Sequence, residues 1–198
     1  DEQALKPGDE VIQTEDSDNI SELLFISDRQ KIYKSKVSEF ETKKASQLGD
    51  YVPVKLGFDE GERVIAMKAL AAYEKDRYFV YIFENGKGVR VPVSSYETKA
   101  SRKKLINAYS DASPLVGAFY EDAPFELLLV SDAGKAVYIS TKLIPEKATR
   151  TASGVTLFSL KKGQKIIDAT RTPETKYKNY EKCKKIKVPA AGSSIERK

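Results

Sequence analysis

Histidine is absent from the 198-residue chain, and cysteine occurs once, at Cys183. The lack of histidine removes the commonest general base and the commonest zinc ligand. One cysteine cannot form an intramolecular disulfide, so the sequence fits a reducing compartment. No apolar run of about 18 residues occurs, and we therefore expect no membrane span and no membrane partner. These absences argue against an independent enzyme with its own catalytic site.

Charge is unevenly distributed along the chain, although the net charge is only +5. Residues 1–30 carry nine acidic and two basic side chains, whereas residues 161–198 carry four acidic and twelve basic ones. Such polarity favours an anionic partner, and a solvated tail is the alternative explanation. The chain begins at Asp1 without a methionine or a signal-peptide pattern, which predicts a segment of a longer protein.

A hairpin signature recurs three times. Each copy has five mostly apolar residues, a three-residue turn and a second run that begins with lysine. The copies occupy residues 23–37, 79–93 and 127–140, which aligns Lys31, Lys87 and Lys135. Asn85-Gly86 and Ala133-Gly134 supply the positive φ that a tight turn requires.

Two further elements accompany the hairpins. A Gly-x-x-Val-Ile-like segment occurs at residues 8–12, 61–65, 112–116 and 163–167, and the last copy precedes no clear hairpin. Strand candidates follow the hairpins at residues 51–56, 105–109 and 155–160. No helix is expected in the chain, apart from a turn within residues 141–149. Each unit thus offers about four short strands in roughly 50 residues, the size of a propeller blade.

The ordered repeat predicts an all-β fold, a β-propeller-like domain of about three to four blades with about four antiparallel strands each. We expect this domain over residues 1–170 and a flexible basic C-terminal tail over residues 171–198. A β-sandwich or an ordinary barrel also has strands at short spacing, but neither requires these elements to recur in order.

Basic loops follow the hairpins at equivalent places, within residues 42–47, 98–104 and 147–154. Successive blades would align them along one rim as a positive stripe suited to a bent polyanion, although exposed loops are polar in any case. No catalytic or metal site is expected, because the sequence carries no motif for nucleotide binding, zinc binding or nucleophilic catalysis. Gly86-Lys87-Gly88 lies at a hairpin turn and not between a strand and a helix, which argues against a phosphate loop. The candidate DNA-binding residues are Lys31, Lys43, Lys44, Lys87, Lys99, Arg102, Lys103, Lys104, Lys135, Lys147 and Arg150.

Three segments carry a family resemblance. Residues 23–34, residues 127–137 and the Arg-x-Ala-x-Gly-Val segment at residues 150–155 resemble repeats of the C-terminal domain of bacterial type IIA topoisomerase A subunits. This family comprises the A subunits of gyrase and of topoisomerase IV, and the resemblance covers about residues 5–170. Each repeat alone has low specificity, whereas the ordered series has high specificity.

The resemblance implies a β-pinwheel, whose blades exchange strands with neighbours, and double-stranded DNA bent around a basic rim. It also implies a cytoplasmic, nucleoid-associated bacterial enzyme in which the partners are the ATPase B subunit and the rest of the A subunit. ATP and magnesium would be used by those other parts, and no cofactor is expected in this chain. Arg77-Tyr78 is similar to the family's catalytic Arg-Tyr pair, but it opens an apolar strand, so we do not predict it as the nucleophile.

Two departures from the family pattern bear on function. The glutamine-, arginine- and glycine-rich box of gyrase subunits is absent, which favours a topoisomerase IV-like subunit over gyrase-type supercoiling. The chain also has three repeats and a partial fourth, whereas the family usually has five or six blades. A protein-interaction propeller without DNA binding is the alternative, with the acidic residues 1–28 and the basic residues 161–198 as docking segments.

Overall fold

Short antiparallel strands dominate the computed structural model, which describes residues 5–99, 102–172 and 174–198. Parts of three predictions lie outside these residues: the start of the acidic segment (1–4), two positions of the second basic loop (100 and 101) and one position of the tail (173). The chain divides into two compact units. Unit 1 comprises Asp1–Ala72 and Ala100–Ile106, and unit 2 comprises Tyr73–Lys99 and Asn107–Lys198.

Regular structure in the described residues consists of fourteen strands, one short α-helix and four 3-10 turns. In chain order the strands and the helix are β1 (Glu22–Ser27), β2 (Ile32–Lys36), α1 (Val52–Leu56), β3 (Val64–Leu70), β4 (Tyr78–Phe83), β5 (Lys87–Pro92), β6 (Lys104–Leu105), β7 (Leu115–Glu121), β8 (Glu126–Ser131), β9 (Lys135–Ser140), β10 (Val155–Thr156), β11 (Ile166–Arg171), β12 (Tyr177–Lys178), β13 (Ser193–Ser194) and β14 (Glu196–Arg197). The 3-10 turns are Val37–Glu39, Val93–Tyr96, Thr141–Leu143 and Tyr180–Cys183. No helix among the described residues is long and apolar enough to cross a membrane.

Unit 1 contains one four-stranded antiparallel sheet, sheet A, in the order β3-β1-β2-β6. The hairpin β1-β2 forms its centre, as the first copy of the signature predicts. Leu23, Phe25 and Tyr33 form the buried core of this sheet. The ring of Tyr33 stacks on Phe58 with 4.1 Å between the centroids, which ties the segment after α1 to the sheet.

Unit 2 contains two four-stranded antiparallel sheets. Sheet B has the order β10-β5-β4-β7, and sheet C has the order β11-β8-β9-β13. Their buried side chains form a shared core that includes Val80, Ile82, Leu127 and Leu129. The two short strands β12 and β14 pair with each other beside sheet C.

The three sheets repeat one hydrogen-bond pattern, which confirms the predicted propeller-like fold class. After each hairpin's first strand, a backbone N–H bonds a carbonyl of the Val-Ile-like segment: Asp28 to Arg63 at 3.0 Å, Glu84 to Pro114 at 2.9 Å and Asp132 to Lys165 at 3.0 Å. The hairpin's second strand pairs with a short strand from later in the chain, namely β6, β10 or β13. This pairing is the strand exchange that the family resemblance implies.

Two expected strands are wrong. Within the expected strand at residues 51–56, Val52–Leu56 form the one-turn helix α1, because Pro53 suits a helix start and Gly57, at φ +69°, ends the turn in the left-handed region. Residues 8–12 form no strand, and Ile12 is 82% exposed. The three other copies of this segment each pair with the hairpin that precedes them in the chain, and none of the described hairpins precedes residue 8.

The C-terminal segment also differs from the expected flexible tail. Tyr177 and Cys183 are buried against Leu128 and Val130 of β8, and β13 completes the edge of sheet C. Burial raises the pKa of the Cys183 thiol, so this cysteine packs as a small apolar side chain. The lysine-rich composition indicated a solvated tail because the few buried residues are spaced far apart in sequence.

Candidate nucleic-acid interface

The three hairpin lysines have different surroundings, although they occupy the same register. The Lys31 ammonium bonds the Asp59 carboxylate and lies 3.4 Å from Glu62, with only 14% of its side chain exposed. The bond to Asp59 raises the pKa of Lys31 despite its burial. Lys87 is half-buried, and Lys135 is exposed at its turn. The charge of Lys31 is therefore neutralised within unit 1 and is not available to a phosphate.

Glu62 is the centre of a buried polar cluster in unit 1. Its carboxylate accepts hydrogen bonds from the Ser27 hydroxyl, the Tyr33 hydroxyl at 2.8 Å and the Asp59 N–H at 2.9 Å. Burial alone would raise the pKa of Glu62, but these bonds and the charge of Lys31 lower it below its usual value. Burial and the contact with Glu62 raise the pKa of Tyr33. This cluster fixes the turn before β3.

A return segment, as we use the term, is the stretch that runs back to the edge of an earlier hairpin: residues 102–105 beside sheet A, 144–156 beside sheet B and 184–194 beside sheet C. These segments hold four of the exposed predicted cations, namely Arg102, Lys103, Lys104 and Lys147. In unit 1, the Lys34 N–H bonds the Lys103 carbonyl at 2.8 Å, which leaves the Lys103 side chain 81% exposed. The Lys104 ammonium lies 5.4 Å from the centre of the Tyr33 ring and 3.8 Å from the Asp59 carboxylate, and its side chain is 41% exposed. Arg102 is exposed.

The first basic loop of unit 1 contributes less free charge than the sequence predicts. Lys43 pairs with Asp50 at 3.2 Å and lies 3.8 Å from Glu41. Lys44 is exposed, and its backbone N–H bonds the Gln47 side chain at 3.0 Å. Of these two lysines, only Lys44 presents a side chain without a described acidic neighbour.

The return segment beside sheet B positions Lys147 and Arg150 in unit 2. The Lys147 N–H bonds the Arg90 carbonyl at 2.9 Å, and the Lys147 side chain is exposed. The Arg150 guanidinium lies 5.8 Å from the centre of the buried Tyr96 ring. The exposed Lys99 follows the 3-10 turn Val93–Tyr96, where the Ser95 hydroxyl bonds the Ala148 carbonyl at 3.2 Å. The 3-10 turn that precedes Lys99 is thus bonded to the third basic loop within unit 2.

Glycine permits the close approach at this edge. Gly154 has φ +71°, and a Cβ atom there would lie 2.1 Å from the Gly88 carbonyl oxygen. A Cβ at Gly88 would lie 2.5 Å from the Leu157 side chain. The glycine of the Arg-x-Ala-x-Gly-Val segment therefore allows β10 to pair with β5.

The return segment beside sheet C carries cations that the sequence did not single out. The Lys185 N–H bonds the Tyr138 carbonyl at 2.8 Å, which is the counterpart of the bond from Lys147 to Arg90. The Lys184 ammonium lies 5.1 Å from the centre of the Tyr138 ring and 3.5 Å from Glu126, and Lys187 is exposed. Gly192 before Ser193 matches Gly154 before Val155, and this match could have predicted the edge strand β13. We expected a flexible tail over these residues and therefore predicted no strand there.

The Arg77-Tyr78 pair is occupied in structural contacts. Arg77 pairs with Glu74 and Asp76 at 3.1 and 3.0 Å. The Tyr78 hydroxyl donates to Glu146 at 3.0 Å, and this bond raises the pKa of Tyr78. No cluster of three or more His, Cys, Asp or Glu side chains that could hold a metal ion occurs in the described part of the chain.

Comparisons with known proteins agree with this geometry. The family model for the DNA gyrase C-terminal domain, a β-propeller, matches residues 21–70 and 126–173. The A subunit of DNA gyrase from Mycolicibacterium smegmatis is 26% identical over 118 residues, which is 60% of this chain and 14% of that protein. This chain thus spans about one seventh of that relative.

Solved structures show the same fold. The C-terminal domain of DNA topoisomerase IV matches with a TM-score of 0.68 and 21% identity, over 80% of this chain and 49% of that one. The E. coli ParC C-terminal domain matches with a TM-score of 0.63 and 14% identity, over 91% of this chain and 81% of that one. The repeated sheets, the strand exchange and the matched family model together show that the chain belongs to the family of C-terminal domains of type IIA topoisomerase A subunits.

Proposed function

We propose that this chain binds and bends duplex DNA through the cations of its return segments. The observation that carries the proposal is their common register: Lys147 and Lys185 donate equivalent backbone bonds along β5 and β9 of unit 2. The segment beside sheet B also carries the half-buried Arg150, and the segment beside sheet C carries the exposed Lys184 and Lys187. Lysine and arginine bind phosphates without reading sequence, so evenly placed cations suit a continuous backbone. The predicted contacts that remain are Lys44, Lys87, Lys99, Arg102, Lys103, Lys104, Lys135, Lys147 and Arg150, to which we add Lys184, Lys185 and Lys187.

The domain would serve the A subunit of a type IIA topoisomerase. There it would capture or bend a DNA segment and so guide substrate to a catalytic core elsewhere in the enzyme. Bending a short duplex costs on the order of 1–6 kcal/mol, which several phosphate contacts can offset. The partners would be the ATPase B subunit and the rest of the A subunit, in the bacterial cytoplasm, with ATP and magnesium used outside this chain. The absence of a glycine-rich box supports a topoisomerase IV-like role.

A titration of labelled duplex DNA at several salt concentrations tests the proposal. We expect the logarithm of the binding constant to fall linearly with the logarithm of the salt concentration. Lys147→Ala and Lys187→Ala should each reduce that slope by about 0.9, the value for one phosphate contact. The matched control is Lys75→Ala, which removes an exposed lysine outside the return segments. Absent binding at low salt, or affinity indifferent to salt, would refute DNA binding.

Protein interaction is the second candidate function, and an apolar patch in unit 1 favours it. Leu48, Tyr51 and Val54 around α1 are 72–80% exposed. Charge reversal at Arg102, Lys103 and Lys104 distinguishes the two functions. Unchanged DNA affinity together with the loss of B-subunit binding would favour the interaction role, whereas a large loss of DNA affinity would favour the DNA-binding role.

A further inference from the structure

Ile186 is the most exposed of the large apolar side chains in the described residues, at 86%. It lies in the return segment beside sheet C, between Lys185 and Lys187 and close to Lys184. Single exposed apolar residues are common on protein surfaces, but this one stands among cations on the segment that we assign to DNA. Lys187 is exposed, and the half-buried Lys185 ammonium donates to the Ser193 hydroxyl at 3.0 Å, so a cation flanks the apolar tip on each side.

The backbone on either side of Ile186 is fixed to the core of unit 2. On one side, the Lys185 N–H bonds the Tyr138 carbonyl at 2.8 Å. On the other side, Val188 packs against the core shared by sheets B and C, and the Ala190 N–H bonds the Leu157 carbonyl at 3.0 Å. Only a few residues separate these anchors, so the tip projects from a rigid base and loses little entropy on binding.

The same register position beside sheet B holds a small residue. Lys147 corresponds to Lys185 by its backbone bond, so the residue that follows, Ala148, corresponds to Ile186. The Ala148 carbonyl accepts a bond from Ser95, and its side chain is a single methyl group. A protruding branched side chain thus occurs at one of the two comparable positions in unit 2.

We infer that Ile186 is a wedge that inserts between stacked base pairs in the minor groove while the flanking lysines hold the phosphates. Apolar side chains of this kind unstack a base step and kink the duplex, and the bend brings more DNA backbone to the protein. This inference rests on the proposed DNA binding. It adds that bending comes from one localised kink beside sheet C and not only from smooth electrostatic attraction.

The test compares two labelled 24-bp duplexes, one fully paired and one with a central two-nucleotide bulge that already has a kink. Because the bulge removes the unstacking cost, we expect the wild-type chain to bind the bulged duplex on the order of tenfold more tightly. Ile186→Ala should abolish this preference and reduce the bend that end-to-end energy transfer measures on the paired duplex. Ile186→Leu should retain both.

The matched control is Ile167→Ala, which removes the same atoms from an isoleucine of β11 that is 53% exposed and lies outside the return segments. It should leave the preference and the bend unchanged. If Ile186→Ala binds DNA with the wild-type preference and bend, the wedge is wrong and the proposed DNA binding stands. If the wild-type chain binds neither duplex in a salt-dependent manner, the proposed function fails and the wedge fails with it.

Discussion

Units 1 and 2 secure the same turn by different chemistry. Before β3 of unit 1, the buried carboxylate of Glu62 accepts hydrogen bonds from the Tyr33 hydroxyl and the Asp59 N–H and lies 3.4 Å from the Lys31 ammonium. Before β11 of unit 2, the same position holds Gln164, whose side-chain oxygen accepts the Lys161 N–H at 3.0 Å. Before β7 it holds Ser113, whose hydroxyl accepts the Asn85 N–H at 3.1 Å. The repeat thus keeps a hydrogen-bond acceptor at this position of the turn, while the charge of the acceptor varies.

The same contrast extends to ionisation. The described carboxyl groups with a lowered pKa are Asp18, Asp50, Asp59 and Glu62, and all four belong to unit 1. Unit 2 instead buries tyrosines, and burial raises the pKa of Tyr81 well above its usual value. Unit 2 also buries an ion pair, between Arg90 and Glu121 at 2.7 Å. The difference is therefore that unit 1 contains all the described carboxyl groups with a lowered pKa, whereas unit 2 combines buried tyrosines with this buried pair.

Removal of the Glu62 carboxylate should produce the largest effect. Glu62→Ala removes the carboxylate that accepts the hydrogen bonds of the Tyr33 and Ser27 hydroxyls and that lies beside Lys31. We expect unit 1 to lose about 3–5 kcal/mol of stability, the range for breaking a buried charged pair. Hydrogen exchange measured by mass spectrometry would resolve the two units, and unit 2 should keep its protection.

Glu60→Ala is the control, because Glu60 is an exposed neighbour in the same turn. Its effect should stay within about 0.5 kcal/mol. Equal deprotection of both units by Glu62→Ala would contradict the assignment of the Glu62 cluster to the stability of unit 1.

A glycine substitution in unit 2 should have the second-largest effect on stability. Gly154→Ala places a Cβ atom 2.1 Å from the Gly88 carbonyl oxygen and adds a left-handed residue with a side chain. We expect a loss of about 3 kcal/mol in the free energy of unfolding of unit 2, from overpacking and from the unfavourable φ. Chemical denaturation followed by hydrogen exchange measures it.

Gly163→Ala separates the two causes. Gly163 has φ +82° and no atom within 4 Å of a built Cβ, so only the conformational cost of about 1–2 kcal/mol remains. Similar losses for both variants would show that the close approach of Gly154 to Gly88 adds nothing to the cost of a side chain there. The position equivalent to Gly154 in unit 1 is Lys104, so unit 1 forms its edge pairing without glycine.

The backbone of the repeat was predictable from the sequence, whereas the roles of its side chains were not. The three hairpins follow the predicted residues closely because apolar alternation is a local signal, and the second and third hairpins also have a turn glycine. Which strand joins which hairpin depends on contacts between distant residues, which the sequence does not show. The sequence therefore did not predict that residues 8–12 pair with none of the described strands, or that β13 pairs with β9. Lys31 and Lys135 align in sequence, yet only the fold brings Asp59 and Glu62 to Lys31.

As pH falls, unit 1 should lose stability at a higher pH than unit 2. This loss should be smaller than the losses caused by Glu62→Ala and Gly154→Ala. The pKa of Glu62 is lower in the folded chain than its ordinary value of 4.5, so the folded state disfavours protonation. Its contribution is therefore fully present above about pH 4.5 and is lost as pH falls through the lowered pKa. Protonation leaves the side chain in place with part of its hydrogen bonding, which is why the loss should be smaller than that of Glu62→Ala. Hydrogen exchange at pH 3–6, corrected for intrinsic rates, measures it.

Glu62→Gln distinguishes this titration from general acid weakening. The amide keeps the shape of the side chain but has no ionisable group, so the variant should be less stable than the wild type at pH 6. The stability of unit 1 in this variant should then depend less steeply on pH. The pH dependence that remains should come from Asp18, Asp50 and Asp59, whose pKa values are also lowered. If unit 2 of the wild-type chain loses protection at the same pH as unit 1, the acid response does not arise from the carboxylates of unit 1. In that case the two units would differ in hydrogen-bond chemistry but not in what charge contributes to their stability.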